Sequence, residues 1–354
     1  MKNTKILVVR FRRIGDALLT VALINSIKKT IPNAEIHYVL NDHIADLFTE
    51  HPNIDKLIRF TKEDHSSFFK YIRKIRQVVK QEKYDFIFDT RTTINTLFFS
   101  LFSLRSKYRI GQSKAYNHLI HNRRVDIDLN AGFVDQKLML LDPLIGEYEV
   151  VKDHTFDVFV SDEKKEAFRL YMQKRGIDFS NPVMICTAVA RVASKGWRTD
   201  WMQEILHKII EKDSNIQIIL NYGDPREKEI AHQIYDEMGK PQQIFINIEA
   251  NTLKDLAAMT ANCDFLFGNE GGTRHISQAL DVPSFAIFSP GNSMDIWLPN
   301  RSDRYDGISC TEILSEDELK TLSREEQYNS ITVEKVWTKL SPKLDQYLLK
   351  TSTL

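Results

Sequence analysis

Short apolar runs alternate with helical patterns along this chain, and the alternation runs through twice. Residues 6–9, ILVV, are too few for a helix and apolar on both faces. A helical pattern over 17–30 follows, with apolar residues at 18, 21, 22, 24 and 27, and Pro32-Asn33 stops it. Further strands are predicted over 36–40, 56–59 and 86–89, with helices over 44–49 and 66–82. Strand, helix, strand at this spacing builds βαβ units, which join into a parallel sheet with helices on both faces. The pattern restarts beyond residue 155. Strands are predicted over 183–187, 216–222, 244–246, 265–267 and 285–288, the last clear one. Helices over 201–212, 227–238, 253–260 and 273–280 separate them. The fold class is therefore α/β in two similar halves, with a boundary within 146–162.

A chain of 354 residues has room for two such cores. It is 42% hydrophobic and 27% charged, which is ordinary for a soluble globular protein. Formal net charge is zero, but residues 1–150 carry 24 Lys and Arg against 17 Asp and Glu, a net of +7. Residues 151–354 carry the balancing −7. The first half favours an anionic partner through a field that salt would screen. Cys186, Cys263 and Cys310 lie far apart, and the first two sit in apolar runs, which points to buried thiols in a reducing compartment. The apolar run at the N-terminus is four residues, too short for a signal-peptide core. No stretch reaches the ~20 apolar residues of a membrane span, and residues 97–104 read as a core helix. A cytoplasmic location is expected, compatible with association at a membrane surface. No nucleic-acid partner is expected.

In open parallel sheets, ligands sit beyond the carboxyl ends of the strands. Four loops there are candidates. The first is VVRFRRIGDALLT, residues 8–20, with Arg10, Arg12 and Arg13 before Gly15-Asp16. Gly15 permits a turn closed to other residues. Asp is a favoured helix N-cap, and on position alone that explains Asp16. The functional alternative is a carboxylate base with arginines nearby for an anion. The second loop holds Arg191, Ser194, Lys195, Gly196 and Arg198 before a helix. A cation beside glycine at a helix start suits a phosphate, and a solvated basic loop explains it equally well. The third is Gly223-Asp224-Pro225 with Glu227 in the following turn, either a plain turn or a carboxylate for a sugar hydroxyl. The fourth is FGNEGGTRH, residues 267–275. Gly271 and Gly272 let backbone N–H groups approach a ligand, and the helix from Thr273 adds its positive end. His275 falls in the first turn, where it could donate to a phosphate. Glu270 beside these donors fits a sugar hydroxyl better than a phosphate.

Other chemistry finds less support. Neither half has GxGxxG, and neither a Walker loop, a GxSxG elbow nor a zinc-spaced Cys/His cluster is present. Asp126-Ile127-Asp128 spells a DxD but lies in an alternating run, 125–129, that reads as a strand with one wet face. Residues 70–83 form a basic amphipathic pattern, by default a solvated face, with docking on anionic lipid as the alternative.

Two stretches, KILVVRFRRIGDALLTVALINSIKKTIPNAEIHYVL and LAAMTANCDFLFGNEGGTRHISQALDVPSFAIFSPG, together resemble glycosyltransferase family 9, the heptosyltransferases of lipopolysaccharide inner-core synthesis. Weaker likeness spans residues 5–300. The resemblance implies a GT-B arrangement of two Rossmann-like, doubly wound domains facing a central cleft. It divides the chain into an acceptor-side domain over 1–155, a nucleotide-sugar domain over 156–315, and a helical tail over 316–354 that could cross back onto the first domain. It implies inverting transfer of a sugar, heptose from ADP-heptose, to an anionic lipid-linked saccharide, without a metal or other cofactor. By the same likeness Asp16 is the general base, and the arginines beside it, Arg10, Arg12 and Arg13, read from their charge as binding the anionic acceptor. Lys195, Glu227, Glu270, Gly271, Gly272, Thr273 and His275 bind the donor. Glu270 stands where the family usually has Asp, Gly271-Gly272-Thr273-Arg274 replaces a Ser/Thr-Gly-Pro-type turn, Phe288-Ser289-Pro290-Gly291 replaces FGPT, and Arg198 replaces Pro. These departures border the donor sugar. A transferase or epimerase using another nucleotide sugar, or a non-catalytic nucleotide-sugar binder, are the alternatives.

Overall fold

The computed structural model describes residues 3–349, which divide into two compact units between Phe159 and Val160. Each unit is built on one six-stranded, all-parallel sheet. The first holds β1 (Thr4–Val9), β2 (Ala34–Asn41), β3 (Lys56–Phe60), β4 (Phe86–Asp89), β5 (Tyr108–Gln112) and β6 (Arg123–Val125) in the order β3-β2-β1-β4-β5-β6. The second holds β7 (Val183–Thr187), β8 (Gln217–Leu220), β9 (Ile244–Phe245), β10 (Phe265–Asn269), β11 (Ser284–Phe288) and β12 (Tyr305–Ser309) in the order β9-β8-β7-β10-β11-β12. Both follow one doubly wound pattern. The strand order reverses beside β1 in the first unit and beside β7 in the second, and crevices for ligands open at such points.

The central strands explain the apolar runs. Ile6, Leu7, Val8 and Val9 are fully buried, because β1 is paired on both edges and covered on both faces. β7 stands likewise between β8 and β10. Outer strands are less legible. β5 carries Arg109 and Gly111, β6 is three residues long, and β12 reads YDGIS. None shows an apolar run, so β11 is followed by a further strand and β4 by two. The expected strand over 125–129 ends at Val125.

Helix boundaries also shift. The helical stretch expected over 17–30 starts earlier and is two segments, Ile14–Leu19 and Val21–Thr30, meeting at Thr20, whose hydroxyl donates to the Asp16 carbonyl at 2.7 Å. Helix Phe68–Gln81 begins behind Ser67, whose side chain accepts from the Lys70 N–H. The tail segment packs within the second unit. Ile331, Val333, Val336, Leu340, Leu344 and Leu348 are buried in the same core as Met184, Ile205 and Phe285. At about 1.5–3 kcal/mol for each large apolar side chain buried, this stripe fixes the helix Val333–Lys343 to its unit. Residues 350–354 lie outside the described part. The three cysteines are free and buried. Among the described residues no helix is long and apolar enough to cross a membrane.

Candidate functional site

In the first unit the loop after β1 turns sharply at Arg12, which has φ +84°. The left-handed residue is thus Arg12 and not Gly15, which is helical and buried. Helix Ile14–Leu19 places Asp16 in its third position, with Arg13 at the cap and no capping side chain. The N-cap explanation of Asp16 therefore fails. Its carboxylate instead meets Arg10, with Nη2 2.7 Å from Oδ2. Arg10 is 5% exposed, and its Nη1 donates to the Thr90 carbonyl at 3.2 Å. That carbonyl belongs to the loop after β4, so residues from both sides of the reversal point converge.

Behind this pair the unit holds further buried charge. Lys137 Nζ donates to the same Thr90 carbonyl at 3.2 Å, over the Phe133 ring that Arg10 also faces. Burial, reinforced by the Arg10 charge, lowers the Lys137 pKa to about 7. Asp89, fully buried, is raised to about 6 by burial, against the stabilising Thr92 and Arg91 N–H donors. A cavity of about 470 Å³ opens beside the Arg12 turn, lined by Arg12, Arg91, His65, Phe68, Tyr71 and neighbours. Burial first, then the Arg12 and Arg10 charges, lower the Arg91 pKa, so a bound anion would relieve repulsion there. Arg13 is exposed.

In the second unit three loops meet. The loop after β7 forms a short turn, Ala193–Lys195, and Lys195 Nζ lies 3.1 Å from Glu270 Oε1. Glu270 follows β10, and the same oxygen accepts from Asn292 Nδ2 at 2.8 Å, from the loop after β11. Asn292 also donates to Ser289 Oγ at 2.7 Å. Asn269 ties the first two loops. Its Oδ1 accepts from the Trp197 N–H at 2.8 Å, and its Nδ2 donates to the Thr187 and Ala188 carbonyls. Behind Glu270 the helix Gly272–Ala279 begins, capped by Gly271. Gly271 has extended backbone, and a Cβ built there would meet nothing within 4 Å. Nothing in the fold itself requires glycine at this position. Thr273 Oγ1 accepts from Asn221 Nδ2 at 3.4 Å, which brings the loop after β8 to the same helix start. Glu227 lies in helix Pro225–Glu237, whose cap is Asp224. Its carboxylate accepts from the Gly223 N–H at 2.5 Å, and burial raises its pKa.

Residues 72–329 match the family described as "Glycosyltransferase family 9 (heptosyltransferase)". The chain belongs to glycosyltransferase family 9. Among its relatives, lipopolysaccharide heptosyltransferase 1 of Campylobacter coli is 25% identical over 292 residues, 80% of this chain and 83% of that one. Lipopolysaccharide heptosyltransferase 1 of Escherichia coli K12 is 20% identical over 81% of this chain and 88% of that one. A solved glycosyl transferase family 9 protein from Veillonella parvula superposes with a TM-score of 0.83 at 18% identity, covering 98% of both chains. An Escherichia coli heptosyltransferase with ADP-2-deoxy-2-fluoro heptose superposes with a TM-score of 0.67 at 16% identity, covering 96% of this chain and 99% of that one. The fold is of the GT-B type.

Within this glycosyltransferase one expected donor side chain is turned away. His275 is buried with both ring nitrogens on Arg274, and burial, then the Arg274 charge, hold its pKa well below the usual value. Its ring is a neutral packing group and not an exposed phosphate donor. Arg274 is itself buried, donating to Gln278 Oε1 and to the Trp297 carbonyl at 2.7 Å each. Asn292, Asn269 and Asn221 were not legible as site residues, since a lone Asn in a loop carries no motif. The position after each strand was the available signal. The tail also reaches the site. Tyr328 Oη donates to the Lys195 carbonyl at 2.8 Å, and Trp197 Nε1 to the Ile331 carbonyl at 2.9 Å. Among the described residues no group of three or more His, Cys, Asp or Glu is placed to hold a metal ion. Asp126 and Asp128 are exposed, and Asp128 accepts from the Asn130 N–H.

Proposed function

We propose that this glycosyltransferase moves heptose from ADP-heptose to a lipopolysaccharide core acceptor, with inversion at the anomeric carbon. The convergence of Lys195, Glu270 and Asn292 at the open start of helix Gly272–Ala279 carries the donor half of this reading. The helix start offers backbone N–H groups and about half a positive charge to a diphosphate. Lys195 adds a cation, and Glu270 accepts from sugar hydroxyls. Relatives named as lipopolysaccharide heptosyltransferases, and the fold neighbour that holds an ADP-heptose analogue, support the choice of donor.

In the first unit Asp16 takes the proton of the acceptor hydroxyl. The freed oxygen forms the new bond to the anomeric carbon as the bond to the diphosphate oxygen breaks, and ADP leaves with the electron pair. Lys195 and the helix start stabilise the charge that develops on it. Arg12 and Arg91, with Arg13 near, receive the anionic part of the acceptor. Arg10 positions Asp16, while Glu227 holds the turn beside the donor and Thr273 its helix start.

Titration calorimetry with ADP-heptose, ADP, UDP, GDP and UDP-hexoses tests this directly. Preferential ADP-heptose binding, followed by transfer to heptose-free core acceptor with inverted product stereochemistry, is expected. Preference for a UDP- or GDP-sugar would overturn the donor, and binding without transfer would favour a non-catalytic role.

A further inference from the structure

Lys195 stands on a loop with few ties of its own. Arg191, Val192, Ala193 and Ser194 are exposed. The bonds within the turn are local, from the Lys195 N–H to the Val192 carbonyl at 2.8 Å and from the Gly196 N–H to the Ala193 carbonyl at 3.0 Å. Ordering such a backbone costs conformational entropy, which contacts from outside the loop must offset. Arg226 supplies them at the near end, where its Nη2 donates to the Ala190 and Arg191 carbonyls at 2.6 and 3.0 Å. At the far end the tail supplies them. Tyr328 Oη donates to the Lys195 carbonyl at 2.8 Å and lies 3.5 Å from Asn269 Oδ1, which itself accepts from the Trp197 N–H. Trp197 Nε1 donates to the Ile331 carbonyl at 2.9 Å.

Tyr328 is a fixed point because its own helix is tied down. Ser323 and Glu326 close a capping box at the start of helix Arg324–Asn329. Gln327 Nε2 donates to the Leu319 and Leu322 carbonyls at 2.9 and 3.0 Å. Ile331, just beyond the helix, is buried in the core of the unit. Burial, then the Glu270 charge, raise the Tyr328 pKa, so the phenol keeps its proton and remains a donor. The same helix meets the loop after β11, where a Cβ at Gly291 would lie 3.5 Å from Arg324 Nη1. Gly291 adjoins Asn292, so one short helix backs both loops whose side chains hold Glu270 Oε1.

We infer that Tyr328 is a positioning residue for donor binding: its hydroxyl fixes the backbone of Lys195 and, through it, the ammonium that meets the donor diphosphate. The inference rests on the donor role proposed for Lys195 and adds to it a residue from outside the strand-end loops. A residue that acts this way contributes to donor affinity only while Lys195 is present, whereas a general support of the fold contributes in either case.

A double-variant cycle read by ADP calorimetry makes the distinction. Tyr328→Phe keeps the ring and removes only the hydroxyl, so thermal melting should change little. ADP affinity should fall by about 3–10-fold, the range for one neutral hydrogen bond. In the Lys195→Ala background the same change should alter ADP affinity by less than about twofold. An equal loss in both backgrounds would make Tyr328 a general support of the fold. Undiminished ADP affinity in Tyr328→Phe would show that Lys195 finds its place without the tail. Either result overturns the inference and leaves the donor reading standing. Unchanged ADP affinity in Lys195→Ala would overturn the donor reading and this inference with it.

Discussion

The Arg10 guanidinium grips the Asp16 carboxylate at 2.7 Å while its other amino group holds the Thr90 carbonyl at 3.2 Å. One carboxylate oxygen is thereby fixed. The base role proposed for Asp16 would need its charge and its direction separately. Asp16→Asn is expected to lower kcat by about 10²–10⁴-fold, with ADP-heptose affinity within about twofold of wild type. Arg10→Met should also lower kcat without changing donor affinity, because it removes direction and not the base. Full transfer by Asp16→Asn would remove Asp16 from the reaction.

Lys195 and Glu270 are expected to separate on substrates. A hydrogen bond to a charged group is worth about 1.5–3 kcal/mol, so Lys195→Ala should weaken ADP and ADP-heptose alike, by roughly 10–100-fold. Glu270→Asp retracts the carboxylate by about 1.5 Å, one carbon–carbon bond. It should then lose either Lys195 or Asn292, which now share Oε1. The expected result is altered discrimination among nucleotide sugars with ADP affinity kept. Competition calorimetry with ADP and sugar-bearing donors distinguishes the two variants.

The central strands were legible because they are buried on both faces, and the site loops followed from where those strands end. Asp16 lies in the first turn of the helix after β1, and Lys195 and Glu270 stand on the loops after β7 and β10, each beside the reversal point of its sheet. What escaped the sequence depends on partners distant in the chain. Strand β12 pairs only with β11 and needs no apolar run. The inward turn of the His275 ring follows from Arg274, whose own partners lie at Gln278 and Trp297. A helical stretch gives no sign of which residues near its start face solvent and which face the core. Asn292 gains meaning only once the loop after β11 folds against Glu270.

Lys137 gives a pH signature. Its pKa is about 7 in the fold and about 10.4 in the unfolded chain. Between these values the unfolded chain binds more protons, so stability rises with pH across that window, by up to about 1.4 kcal/mol per pH unit from this group. Below pH 7 the penalty for charging the buried amine is constant. Lys137→Met should therefore be at least as stable as wild type at pH 7, and wild type should gain on the variant as the pH rises toward 10. Urea unfolding of both proteins at pH 7 and 9 reads the difference. Parallel stability curves would mean that Lys137 keeps its charge in the fold.

Two glycines flanking Glu270 should respond oppositely to alanine. Gly268 has φ +135°, and a Cβ there would lie 2.5 Å from the Thr187 carbonyl oxygen of the neighbouring strand. Backbone strain and that clash act together, and neither β7 nor β10 can retreat without unpairing. Gly268→Ala should cost about 2–4 kcal/mol, with donor affinity falling only as the folded fraction falls. Gly271 has extended backbone and empty space where a Cβ would stand. Gly271→Ala should change stability by at most about 1 kcal/mol, the range for a helix-cap substitution. If the diphosphate rests against this helix start, the added methyl occupies the space of the ligand, and donor affinity should fall at least tenfold. Thermal melting and ADP titration on both variants make the test. Unchanged ADP affinity in Gly271→Ala would place the diphosphate elsewhere, while a stable Gly268→Ala would show that β7 and β10 can part without loss.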